Sequence, residues 1–149
     1  MKKGRIQIAL FGIYCALMLW LLFARPGFAE GIPYADQLRS KLNLIPFRTL
    51  RLFVRLLDSG HPPYVRAAVI NLAGNVVMFI PLGIFLPRLW EGLRRFRKVL
   101  LSAALIIIAV ELIQLFTLVG SCDIDDLILN LIGTVIGYAV CQYKRKPAP

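Results

Sequence analysis

Four long apolar stretches dominate the chain, at about 6–23, 65–86, 99–119 and 124–143. Each is close to the length, about 20 residues, that an α-helix needs to cross a hydrocarbon core about 30 Å thick. The spacing between them predicts an all-α, polytopic membrane bundle of four transmembrane helices, with residues 1–149 forming one domain. The apolar runs are broken by polar residues at helical intervals. Asn71 and Asn75 lie four apart on the second run, Glu111 and Gln114 three apart on the third, and Asp126 and Asn130 four apart on the fourth. Each pair therefore occupies one helix face. Asp123 extends the last stripe upward if that helix begins early enough, and Asp125 is expected to point away, toward the rim.

Counting about 1.5 Å per residue puts all three stripes within about 15 Å of the same end of the bundle. They can converge in one polar pocket open to the side of the first loop. Amides alone could serve only as interhelical glue. Glu111 shifts the reading toward a functional pocket, because a carboxylate at that depth needs a counter-charge, a proton or a ligand. No Lys or Arg occurs within its own span. The candidate partners are Arg66, the loop arginines, or a proton shared with Asp126.

The first loop is long. Its start is turn-rich, at Arg25-Pro26-Gly27 and Gly31-Ile32-Pro33, and residues 48–58 then read as an amphipathic helix lying in the headgroup plane. Arg48, Arg51 and Arg55 share one face, and Leu50, Phe53, Val54 and Leu57 fill the other. The arginines either hold an anionic headgroup or simply pin the loop. Gly60-His61-Pro62-Pro63 ends that helix. Pro81 is expected to kink the second span and Pro87 to close it.

Composition confirms the class: 58% of the residues are hydrophobic and the mean hydropathy is +0.71. The net charge of +10 reads as topology rather than nucleic-acid binding, since the basic residues crowd the span ends and no basic face lies on a soluble module. Eleven Lys and Arg lie at the N-terminus, in the second loop and at the C-terminus, against seven in the first loop and none in the short third loop. Both termini are therefore expected to be cytoplasmic, in a bacterial plasma membrane. A cleavable signal peptide ending at Gly27-Phe28-Ala29 is the competing reading of the first span, whose apolar stretch is longer than the usual signal core.

Cys15, Cys122 and Cys141 have neither disulfide nor metal spacing, and His61 has no neighbouring ligand; no metal and no cofactor is expected. Ser121, Cys122 and Thr117 lie near the pocket mouth without an adjacent histidine, so no nucleophile is evident. Gly133 and Gly137 form a G-x-x-x-G that permits close helix approach, either within the bundle or toward another chain. Transport fits less well, since no inverted repeat is evident.

The polar residues also carry a resemblance. Asn71-Leu72-Ala73-Gly74-Asn75, Phe79-Ile80-Pro81-Leu82-Gly83, Glu111-Leu112-Ile113-Gln114, Asp123-Ile124-Asp125-Asp126-Leu127-Ile128-Leu129-Asn130, Gly133 and Gly137-Tyr138 occur in an order that resembles the VanZ-like family. Asn43-Leu44-Ile45-Pro46-Phe47 is similar to the family's first-loop motif. The resemblance spans nearly the whole chain after the first run. It departs where family members carry an Arg before the Asp stretch, since Gly120-Ser121-Cys122 stands there.

The resemblance implies a small bacterial inner-membrane protein, in a family associated with low-level resistance to teicoplanin-type lipoglycopeptides and with no assigned reaction. Two uses of the pocket follow. In the first it binds a lipid-linked or amphiphilic, anionic ligand, with Arg48, Arg51 and Arg55 attracting the headgroup and Asn71, Asn75, Glu111, Gln114, Asp123, Asp126 and Asn130 holding it. In the second it is an intramembrane enzyme acting on a lipid-linked envelope substrate, with Glu111 or Asp126 as acid or base. A scaffold role through Gly133 and Gly137 is the third reading, and membrane lipids are expected partners in all three.

Overall fold

The computed structural model describes residues 2–24, 27 and 29–143. The spans are α1 (Lys2–Phe23), α4 (Pro62–Leu89), α5 (Phe96–Phe116) and α6 (Ile124–Tyr143), all long and apolar enough to cross a membrane. The chain is an all-α, multi-pass membrane protein. Among the charges used to orient it, Arg25, Lys144, Arg145, Lys146 and the side chains of Lys2 and Lys3 lie outside the described residues, as does Phe28 of the cleavage-like tripeptide.

The first loop folds into α2 (Tyr34–Ser40) and α3 (Arg48–Asp58). The amphipathic helix forms over the residues its periodicity predicts. Its packed face is shifted, however. Thr49, Leu50, Phe53 and Leu56 are half-buried, while Val54 and Leu57 stay exposed, because α3 docks on α4 and on the start of α6 as well as presenting a face outward. The turn-rich start of the loop hides α2, a short helix whose Gln37 is buried. Its amide donates to the carbonyls of Ala29 at 2.9 Å and Ile32 at 2.8 Å, while its Oε1 accepts from the Ala29 N–H. One side chain thereby satisfies the backbone of a turn that would otherwise be unpaired.

Helix α4 is central and packs most extensively on α6. A core of Met18, Phe79, Leu82, Leu86, Val99, Ala103 and Ile107 joins α1, α4 and α5. Pro81 removes a donor from the α4 ladder without ending the helix, and Pro87, expected to close the span, lies within it; α4 runs on to Leu89. The Tyr14 hydroxyl donates to the Met78 carbonyl at 3.0 Å, fastening α1 one turn before Pro81.

The third span is shorter than its apolar run. Helix α5 stops at Phe116, and Leu118 turns into the left-handed region at φ 58° while keeping its side chain buried. An apolar residue outside the helix but inside the core is invisible to a periodicity argument. Beyond it, the two loops on this side pair through a short parallel bridge, β1 (Leu42–Asn43) on β2 (Cys122–Asp123). Lys41 reinforces the junction, its Nζ donating to the carbonyls of Leu118 and Gly27.

Gly133 and Gly137 line the α4–α6 seam. A Cβ on either would sit 2.0 Å from a carbonyl oxygen of α4, that of Val76 or Ile80, and a Cβ on Gly83 would meet the Thr134 carbonyl at 2.0 Å. Of the two uses open to the G-x-x-x-G, the fold makes the contact within the chain.

Candidate functional site

The three acidic residues at the β2–α6 junction do three different jobs. Asp123 sits in β2, not on the helix. Its Oδ1 accepts the Asp125 N–H at 2.9 Å, which caps α6, and its Oδ2 accepts from Asn43 Nδ2 at 3.1 Å and Thr49 Oγ1 at 2.5 Å. With both oxygens spent on the protein, Asp123 does not line the cavity described below, although the stripe argument placed it there.

Asp125 corrects the expectation most sharply. It is fully buried rather than at the rim. Helix α3 has no capping side chain of its own: its N-cap, Phe47, holds a left-handed backbone at φ 63°. Asp125 supplies the cap from 75 or more residues away. Its carboxyl accepts the N–H of Phe47 at 2.6 Å, Thr49 at 2.8 Å and Leu50 at 3.0 Å. These are among the orphan donors of a helix start, where an anion is also favoured by the helix dipole.

Asp126 is the one that faces the site. A cavity of about 550 Å³ opens beside α1 among α4, α5 and α6, and Asn71, Asn75, Glu111, Gln114, Asp126 and Asn130 all line it. Asn75 Nδ2 donates to Asp126 Oδ1 at 2.5 Å. Gln114 Nε2 donates to the Leu22 carbonyl at 3.0 Å, tying the end of α1 to the site. Glu111 is buried, and its Oε2 accepts the Asp123 N–H at 3.3 Å. Among the described residues none of the basic partners considered for Glu111 reaches it, Arg25 lying outside them; the ion pair present there is Arg94 with Glu91, at 2.5 Å on the opposite end of the bundle. Gly120 and Ser121 of the third loop close one wall.

Arg48, Arg51 and Arg55 are not brought to this cavity. They are exposed on α3, and no Lys, Arg or His lines the cavity among the described residues. The docking of α3 through Thr49 and Leu50 turns the arginine face outward. The sequence reading missed Asn43, Thr49 and Asp125 as the junction between the first loop and α6. The available signal was a helix start at Arg48 with no Ser, Thr, Asp or Asn before it, which has to find its cap elsewhere.

The chemistry at the mouth is limited. Ser121 lines the cavity but His61 does not, being placed at the start of α4 with its ring against Tyr64. The Cys122 thiol is pushed above its ordinary range by burial, and further by the nearby Glu111 and Asp123 carboxyls. A raised thiol pKa means less thiolate near neutral pH and a weaker nucleophile. A variant retaining only Cys122 is therefore expected to react slowly with a membrane-impermeant maleimide near neutral pH, with the rate still climbing where an unperturbed thiol has levelled off. A rate curve matching that of free cysteine would contradict this environment.

No curated protein and no solved structure matches the chain. The VanZ/LLP1 family description matches residues 11–145, a range that takes in most of α1, both loop motifs and every residue of the cavity. The Asn43-to-Phe47 segment and the Asp123-to-Asn130 segment, far apart in sequence, lock to one another beside that cavity, and on this match over nearly the whole chain the protein belongs to the VanZ/LLP1 family.

Proposed function

We propose that this protein is a VanZ-like component of the bacterial envelope whose cavity receives the polar part of an amphiphilic or lipid-linked ligand, and that this lowers susceptibility to teicoplanin-type glycopeptides. One observation carries the reading: six polar side chains from three spans line a single cavity of about 550 Å³. Polar groups in spans cost free energy unless they pair or are used, and here the buried Oδ1 atoms of Asn71 and Asn130 have no partner among the described residues. The charge bias of the loops supports cytoplasmic termini, which sets the cavity in the periplasmic half of the plasma membrane.

Gly74 provides the cleanest test. It lines the cavity, and a Cβ added there meets nothing within 4 Å. Gly74→Leu should fill the space while gaining about 0.8 kcal/mol of helix propensity. In cells made less susceptible by the wild-type chain, this variant and the Glu111→Gln/Asp126→Asn pair should restore susceptibility at an equal protein level. Undiminished protection by both would remove the cavity from the function.

The presence of two carboxyls, Glu111 and Asp126, in one cavity favours a second reading, an intramembrane enzyme using them as acid and base. Purified protein should then change envelope lipids chemically, and Glu111→Gln should stop the change. Intact lipids after prolonged incubation would leave binding alone.

A further inference from the structure

We infer that the cavity is built for a primary ammonium group carried on an amphiphile whose apolar part stays in the surrounding leaflet. The inference rests on the binding reading above and narrows it, replacing the anionic headgroup that the arginines of α3 suggested.

The residues left over after the protein has satisfied itself define the ligand. Glu111 spends Oε2 on the Asp123 amide and Asp126 spends Oδ1 on Asn75, so among the described residues one oxygen of each carboxyl receives no hydrogen bond. Asn130 lines the cavity at 4% exposure, and its Oδ1 is buried without a partner; the same is true of Asn71 Oδ1. Among the described residues the site thus holds four oxygen acceptors without a donor, two of them on acids. A phosphate or carboxylate would add like charge and further acceptors. An ammonium brings a compact positive charge and three N–H donors, the complement of this set. Charge-assisted hydrogen bonds of this kind are strong where water is scarce.

The rim indicates what carries the amine. Leu21 of α1 and Ile70 of α4 line the cavity while being 38% and 58% exposed, so its edge is continuous with the lipid-facing surface of two spans. A headgroup can enter sideways while its chains remain in hydrocarbon, a geometry with no advantage for a freely soluble amine.

The test uses the purified full chain and three lipids with matched acyl chains: phosphatidylethanolamine, its trimethylated analogue phosphatidylcholine, which keeps the charge but has no N–H, and phosphatidylglycerol. Binding is read by native mass spectrometry or equilibrium titration. Phosphatidylethanolamine should bind at least about tenfold more tightly than the other two, the scale of one lost charged hydrogen bond. Glu111→Gln/Asp126→Asn should abolish that preference. Both replacements are isosteric and keep an oxygen for the Asp123 amide and for Asn75, so the fold is retained. Gly74→Leu should displace the lipid altogether.

If all three lipids bind equally and Gly74→Leu releases all of them, the cavity binds amphiphiles and the ammonium assignment is wrong. If Gly74→Leu changes nothing, the binding reading falls with it. Free phosphoethanolamine that competes as well as the lipid would retain the ammonium and overturn the lateral, lipid-borne entry.

Discussion

Replacing Asp125 with alanine is expected to release α3 from the bundle and to cost about 3–5 kcal/mol, the range for leaving buried charge-assisted partners unsatisfied. The single carboxyl accepts three backbone N–H groups at 2.6–3.0 Å. Alanine would leave those donors without a partner and would open a polar void at the base of the first loop. The left-handed backbone of Phe47, at φ 63°, would lose one of the bonds that hold it. Asp125→Asn should be intermediate, since one carbonyl oxygen can still accept while its NH₂ faces other donors. Two measurements check this. The unfolding temperature in detergent should fall, and trypsin should cut at Arg48, Arg51 or Arg55 much faster than in the parent. Unaltered melting together with an unaltered cleavage rate would show that Asp125 does not cap α3.

Gly133→Leu or Gly137→Leu should be comparably damaging, at about 3 kcal/mol or more, by overpacking. The α4–α6 seam is the most extensive helix contact in the molecule. At both positions a Cβ would lie 2.0 Å from a carbonyl oxygen of α4 rather than near the end of a flexible side chain, so the helices must separate to admit it. Separation would also pull Asn75 from Asp126, which bridge the same two helices. Gly74→Leu is the matched control: it is the same substitution, on one of the same two helices, into open space. The expected result is a large fall in thermal stability for the seam variants and little or none for Gly74→Leu. Equal behaviour of all three would mean that the glycines are not what sets the helix separation.

The four spans and α3 were legible in the sequence because lipid imposes a simple rule. A backbone without water must satisfy its own hydrogen bonds, so long apolar runs become helices whatever they later touch. The polar stripes were legible for a related reason: residues three or four apart share a face, and depth follows from counting. Asn71, Asn75, Glu111, Gln114, Asp126 and Asn130 accordingly line one cavity. The same rules failed where the chain leaves regular structure. Leu118 counts as span by hydropathy but ends α5 through a left-handed turn, and Gln37 sits in a segment whose turn residues masked a short helix.

The Asp123-to-Asp126 segment shows the limit most clearly. Three carboxyls within four residues look alike in sequence, and helical geometry ranked them by direction alone. What separates them is the first loop, more than 70 residues earlier, which offers Asn43 and Thr49 to Asp123 and a bare helix start to Asp125. Only Asp126 is left to face the cavity. The arginines of α3 moved for the same cause, since the bonds that seat its first turn set its rotation and carry Arg48, Arg51 and Arg55 away from the site.

The amino-acid order alone determined how many helices cross the membrane, which faces of three of them are polar, and at what level those faces lie, since each depends only on local periodicity and the thickness of hydrocarbon. The tertiary structure decided which acid is a fastener and which faces the recess, and that the recess is rich in acceptors with no cation lining it among the described residues. That division depends on hydrogen-bond donors arriving from distant segments, and no local pattern records where they will land.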